Sequence, residues 1–149
     1  DGSLTPLVER AAARHPGISY AGRLVGLQER VDFWRDAQLF CLPSRAEGLS
    51  LSLLEAMACG CAVAATPAGG AGQVGPGLRE LDPHAPAEAL AALLRELVES
   101  PRTVSRMGRV ARGEAVRHHG ISAMLDRVQG IYAECLTPTS EGTPAVREP

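Results

Sequence analysis

Apolar residues fall into two kinds of run along the chain. Leu39-Phe-Cys-Leu42 and Ala62-Val-Ala-Ala65 are short and continuous, the pattern of strands buried on both faces, and Pro43 stops the first. Ile18–Ala21 and Leu78–Leu81 are weaker runs that predict two further short strands. Other stretches repeat apolar positions every three or four residues and predict helices. Leu4, Leu7, Val8, Ala11 and Ala12 form such a stripe, with Thr5 as a candidate cap and Pro6 at the first helical position. His15-Pro16-Gly17 ends that stripe. Val31, Phe33 and Trp34 mark a helix over 29–37, in which Trp34 reads as core or edge packing. Leu, Ala and Met dominate 49–59, and Gly60 follows where helices commonly end. Ala89, Leu90, Leu93, Leu94, Leu97 and Val98 predict a helix over 86–99, which Ser100-Pro101 interrupts. Two more helices are expected over about 101–119 and 122–136. Residues 137–149, rich in Pro, Thr, Ser and Gly, are expected to be a disordered tail behind a domain of residues 1–136.

Strand 39–42, loop 44–48, helix 49–59 and strand 62–65 make a βαβ unit, so the fold class is α/β with a Rossmann-like parallel sheet flanked by helices. Ligands of such sheets bind at the loops that follow the strands. Here that loop carries Glu47, and Glu55 follows inside the helix with seven residues between them. A helix starting near Gly48 places the two carboxylates roughly 10–12 Å apart along the axis. Between them lie the backbone N–H groups of Gly48, Leu49 and Ser50. A helix start is a natural anion site, and Gly48 lets a phosphate approach the backbone closely. A nucleotide-diphosphate sugar has matching parts: a ribose diol, a pyrophosphate and a sugar ring. The plainer alternative makes Glu47 a first-turn acid favoured by the helix dipole and Glu55 a solvated face residue. A glycosidase pair does not fit, because its carboxylates stand about 5–9.5 Å apart.

The flanking residues narrow the choice. Pro43-Ser44, Glu47-Gly48, Leu53-Leu54-Glu55-Ala56-Met57-Ala58 and Gly60 before a strand resemble the signature of retaining GT-B glycosyltransferases, glycosyltransferase family 4. The resemblance extends to Asp1-Gly2, to Ile18–Ala21 with Gly22, and to Thr66–Gly70. It implies the donor-binding, C-terminal half of a GT-B fold, and transfer of a sugar from a nucleotide-diphosphate donor to an acceptor hydroxyl. By the same resemblance, Glu47 is the catalytic residue at the donor sugar, and Glu55 holds the ribose hydroxyls. Gly48, Leu49 and Ser50 face the diphosphate, and Arg23 and Leu24 lie near the base. No metal or other cofactor is implied. Thr66–Gly70 becomes a second loop at the same sheet edge, flexible or a simple turn. Gln73 stands where the family usually has an acid.

Composition removes other chemistries. Every basic residue besides His is Arg, so no mechanism within this chain uses a lysine. A net charge of −2 with dispersed arginines gives no nucleic-acid surface. Of the four cysteines, Cys41 falls in a predicted buried strand, and Cys59-Gly60-Cys61 lacks the partner ligands of a zinc site. They read as small hydrophobes in a reduced, cytoplasmic protein. His118 and His119, adjacent on a helix, point to different sides and read as a surface helix end.

Against the family pattern, the N-terminal strands, the acceptor domain and the basic Arg–Lys pair near the diphosphate are missing. About four strands are expected, with an unpaired sheet edge. The chain alone is therefore expected to be inactive, with the missing N-terminal domain, a nucleotide-sugar donor and an unknown acceptor as partners. Any peripheral membrane association would run through that missing half. Two alternatives stay open: a non-catalytic nucleotide-binding module or subunit of a two-chain enzyme, and a flavodoxin-like domain with an accidental glutamate pair.

Overall fold

The computed structural model describes residues 2–136. Its sheet has three parallel strands, β1 (Leu39–Leu42), β2 (Ala62–Ala65) and β3 (Leu78–Glu80), in the order β1-β2-β3. Leu39 pairs with Ala62 and Leu42 with Ala65, while Val63 pairs with Leu78 and Ala65 with Glu80. Six helices accompany the strands: α1 (Thr5–Arg14) and α2 (Leu27–Asp36) before β1, α3 (Leu51–Cys59) between β1 and β2, and α4 (Ala87–Val98), α5 (Pro101–His118) and α6 (Ile121–Leu136) after β3. This is the expected α/β class, with helices on both faces of a parallel sheet.

β2 explains the layering. All four of its residues are buried, as expected for a central parallel strand. Val63 and Ala65 face one core with Leu53 and Met57 of α3, Ala71, Val74, and Ala111 and Ala115 of α5. Ala62 and Ala64 face the other, with Leu81, Leu97 of α4 and Val104 of α5. α5 thus serves both cores. It crosses α3 where Gly108 lies against the carbonyl of Gly60, a contact that a Cβ would fill. Gly60 itself ends α3 in the left-handed region (φ 89°), and Cys61 N–H donates to Ala56 O at 3.0 Å to close the last turn.

Three expectations need correction, and a fourth is not tested. Ile18–Ala21 forms no strand: no neighbouring strand lies beside it among the described residues, and Ile18 and Tyr20 stay exposed. Three strands are therefore described, not four, with β1 as an edge. α1 begins at Thr5, so Leu4 and not Thr5 is the cap; the Thr5 hydroxyl accepts a hydrogen bond from Gly2 N–H at 3.0 Å. α3 begins at Leu51, because Ser50 caps it by accepting from Leu53 N–H at 3.4 Å. The predicted tail, 137–149, lies outside the described residues.

Candidate functional site

Two loops leave the same end of the sheet, 43–50 after β1 and 66–73 after β2, and they are fastened to each other. Buried Thr66 donates its hydroxyl to the Ser44 carbonyl, and its N–H reaches Leu42 O at 3.1 Å. Gly70 N–H donates to Gly48 O at 2.7 Å. Gly69, at φ 56°, presses its α-carbon against the carbonyls of Glu47 and Gly48, leaving no room for a side chain. The pair of glycines is therefore a clasp that fixes the Glu47–Gly48 backbone. Of the two expectations for this loop, flexible or a simple turn, the structure has a 3-10 turn, Gly69–Gln73.

This clasp decides the conformation before α3. Residues 47–50 are not helical, so a helical rise does not set the spacing of the two acids. Only Leu51–Glu55 lies on the helix, four steps or about 6 Å along its axis. The helix start nevertheless stays open to solvent, with Gly48 and Leu49 exposed and Leu51 73% exposed. The N–H groups of Gly48, Leu49, Ser50, Leu51 and Ser52 find no acceptor among the described residues. A run of unpaired donors at the positive end of a nine-residue helix can bind an anion.

The acids differ in their surroundings. Glu47 is half-buried in the loop, and its Oε1 accepts from Ser44 Oγ at 3.0 Å. Glu55 faces α2: its Oε2 accepts from the Trp34 indole N–H at 3.2 Å, and its Oε1 lies 3.2 Å from Arg30 Nε. Arg30 also donates through Nη1 to Val25 O at 2.9 Å, so the 22–26 loop is tied to Glu55 through one guanidinium. Arg23 is exposed and Leu24 half-buried in that loop, and neither bonds to either glutamate. Sequence reasoning missed Arg30, and it saw Ser44 without its bond to Glu47. It treated Trp34 as packing, which is half of the answer: the ring stacks edge-on with Phe33 and Phe40 at 4.9 and 5.3 Å while its N–H serves Glu55. Pro43-Ser44 was visible as part of the motif; nothing in the spacing of Arg30 pointed to α3.

Three cavities adjoin the loops: an apolar one of about 500 Å³ lined by Leu49, Leu51, Leu54 and Met124 among others, and two that are more polar. One, about 410 Å³, is lined by Leu49, Gly70, Gln73, Glu114, His118 and His119 among others. There His118 Nε2 lies 3.8 Å from Glu114 Oε1, whereas His119 Nε2 is buried without a partner. His119 is thus less of a surface residue than its helix-end position predicts. The other, about 470 Å³, lies on the α4 side between Pro43, Arg45, Glu80, Asp82 and Leu90. The cysteines are all free; burial pushes the Cys41 and Cys61 thiols up, and Cys61 Sγ donates to Trp34 O at 3.2 Å. Among the described residues, no group of three or more His, Cys, Asp or Glu side chains could hold a metal ion. No described helix is long and apolar enough to cross a membrane.

Comparison with known proteins agrees with this architecture. The D-inositol 3-phosphate glycosyltransferase of Thermobispora bispora is 38% identical over 114 residues, 72% of this chain and 26% of that protein. The MMP alpha-(1->4)-mannosyltransferase of Mycolicibacterium hassiacum is 33% identical over 103 residues, 67% of this chain and 25% of its own length. The chain therefore spans about a quarter of the length of the curated relatives it matches. In fold it resembles the sucrose-phosphate synthase of Thermosynechococcus elongatus, a GT-B protein. The TM-score is 0.75 at 22% identity, over 90% of this chain and 35% of that one. The model of the family described as glycosyl transferases group 1 matches residues 1–100, which takes in both loops, both glutamates and the whole sheet. The chain belongs to the glycosyl transferases group 1 family.

Proposed function

We propose that this chain is the donor-binding part of a retaining glycosyltransferase that moves a sugar from a nucleotide-diphosphate donor to an acceptor hydroxyl. The observation that carries the reading is the open run of N–H groups from Gly48 to Ser52, which Glu47 precedes and Glu55 follows in the chain. The diphosphate sits on those donors and on the positive end of α3, which stabilises the leaving group as negative charge builds on it. Glu55 receives the ribose hydroxyls, and Glu47, steadied by Ser44, lies beside the donor sugar. Arg23 and Leu24 lie toward the base. In the reaction the bond from the anomeric carbon to the diphosphate oxygen breaks, and the acceptor oxygen bonds to that carbon. The acceptor proton passes to the departing phosphate oxygen. Nothing in this scheme needs a lysine from this chain, and it has none.

Calorimetry with a panel of nucleotide sugars tests the reading. One base and sugar should bind well below 1 mM, and Glu55→Ala should weaken that binding about tenfold, the loss of hydrogen bonds to a charged group. In the complete protein, Glu47→Gln should cut turnover by two orders of magnitude or more, with the affinity for the free nucleoside diphosphate preserved. Absence of binding across the panel, or a Glu55→Ala protein that binds unchanged, contradicts the reading. Turnover by residues 1–149 alone would contradict the expectation that this part is inactive by itself.

A further inference from the structure

We infer that Trp34 is a positioning residue for Glu55: its indole N–H, together with Arg30, holds the carboxylate in the orientation that receives the two hydroxyls of a ribose. The inference rests on the site reading above and goes beyond it by assigning a role to α2. An ionised carboxylate offers about four lone-pair positions, two on each oxygen. Trp34 occupies one on Oε2, at 3.2 Å, and Arg30 stands 3.2 Å from Oε1. Arg30 Nε approaches as an ion pair and makes no hydrogen bond there, so each oxygen keeps at least one free position, and a vicinal diol needs one on each.

The choice of donor fits the task. An indole N–H donates and cannot accept, so it never competes with the carboxylate for the ribose hydroxyls. It cannot swing away either. The ring is held edge-on between Phe33 and Phe40, the latter in β1, and the Trp34 carbonyl accepts from the thiol of buried Cys61. Glu55 therefore extends from the well-packed α3 to a fixed donor on α2, and the flexible Glu side chain loses its freedom before the nucleotide arrives. Arg30 adds a second consequence: its bond to Val25 O makes the loop carrying Arg23 and Leu24 part of the same assembly.

The test compares uridine, guanosine and adenosine diphosphates with their 2′-deoxy counterparts by calorimetry on the complete protein. Trp34→Phe keeps the aromatic packing and removes the N–H. It should weaken binding of the preferred ribonucleotide about three- to tenfold and leave the deoxy form within about twofold, so that the ribo-to-deoxy preference shrinks. In a Glu55→Ala background the same substitution should add nothing. A merely structural Trp34 would lower the melting temperature and leave that preference intact, and this result overturns the inference. Should Trp34→Phe fail to fold, Arg30→Gln, which leaves the aromatic cluster untouched, is expected to reduce the preference in the same direction; an unchanged preference overturns the inference equally. A preference that Trp34→Phe spares but Glu55→Ala abolishes rejects the role of Trp34 and leaves the site reading standing. A preference that Glu55→Ala also spares removes both.

Discussion

No residue between Gly2 and Asp36 is buried, whereas every residue of β2 is. The two regions show what a sheet neighbour supplies. β2 is bonded on both edges and covered on both faces, so Ala62, Ala64 and Ala65, with little side-chain surface of their own, lose all contact with water. α1 has an amphipathic sequence but no described strand to lie against, and Leu4, Leu7 and Val8 remain exposed. The N-terminal region is joined to the rest through α2, by the Trp34 and Arg30 contacts to Glu55 and by the Cys61 thiol on the Trp34 and Ala37 carbonyls. The proposed donor site straddles that seam. Its more buried half, the clasped loops and α3, belongs to the packed region, and its more exposed half belongs to α2 and the 22–26 loop.

The contrast can be broken or sharpened by substitution. The largest effect is expected at the clasp. Gly69→Ala combines a left-handed backbone with overlap against the Glu47 and Gly48 carbonyls, and should cost about 3–5 kcal/mol in denaturant unfolding. Next, Leu53→Ala in the fully buried core should cost about 2–5 kcal/mol, while Leu7→Ala in exposed α1 should stay within about 0.5 kcal/mol. Equal losses at Leu53 and Leu7 would mean that the N-terminal region is packed after all. Removing the α3 cap by Ser50→Ala should cost about 1 kcal/mol or somewhat less, its bond to Leu53 N–H being long at 3.4 Å.

The smallest effect is one of pH, at the seam. Desolvation raises the Cys61 thiol above its ordinary 9.0, with Cys59 pushing in the same direction. The folded chain then keeps a proton that the unfolded chain gives up. Stability should therefore fall as pH rises past about 9, and Cys61→Ala should remove part of that slope. An alkaline slope unchanged in Cys61→Ala would place its origin elsewhere.

What could be read from sequence tracks how local its cause is. The strands at 39–42 and 62–65, the Gly60 stop and the helices from 87 to 136 follow from runs, periods and punctuation within a few residues. The start of α3 did not, because Gly69 and Gly70 fix the backbone of Glu47 and Gly48 from 22 residues further along the chain. Ile18–Ala21 has the composition of a strand, but composition cannot supply the neighbour that a ladder requires. The glutamate pair was visible as a motif, while the partners that distinguish its members were not. Ser44 is adjacent to Glu47 in the fold for a local reason, and Trp34 reaches Glu55 across 21 positions through the packing of α2 on α3.

The most direct test is a crystal structure of the protein with its preferred nucleoside diphosphate bound. The phosphate oxygens should lie within about 2.7–3.2 Å of N–H groups between Gly48 and Ser52, with the ribose hydroxyls on Glu55. A nucleotide seated instead in the cavity between Arg45, Glu80 and Asp82, with those N–H groups left to solvent, would contradict the account.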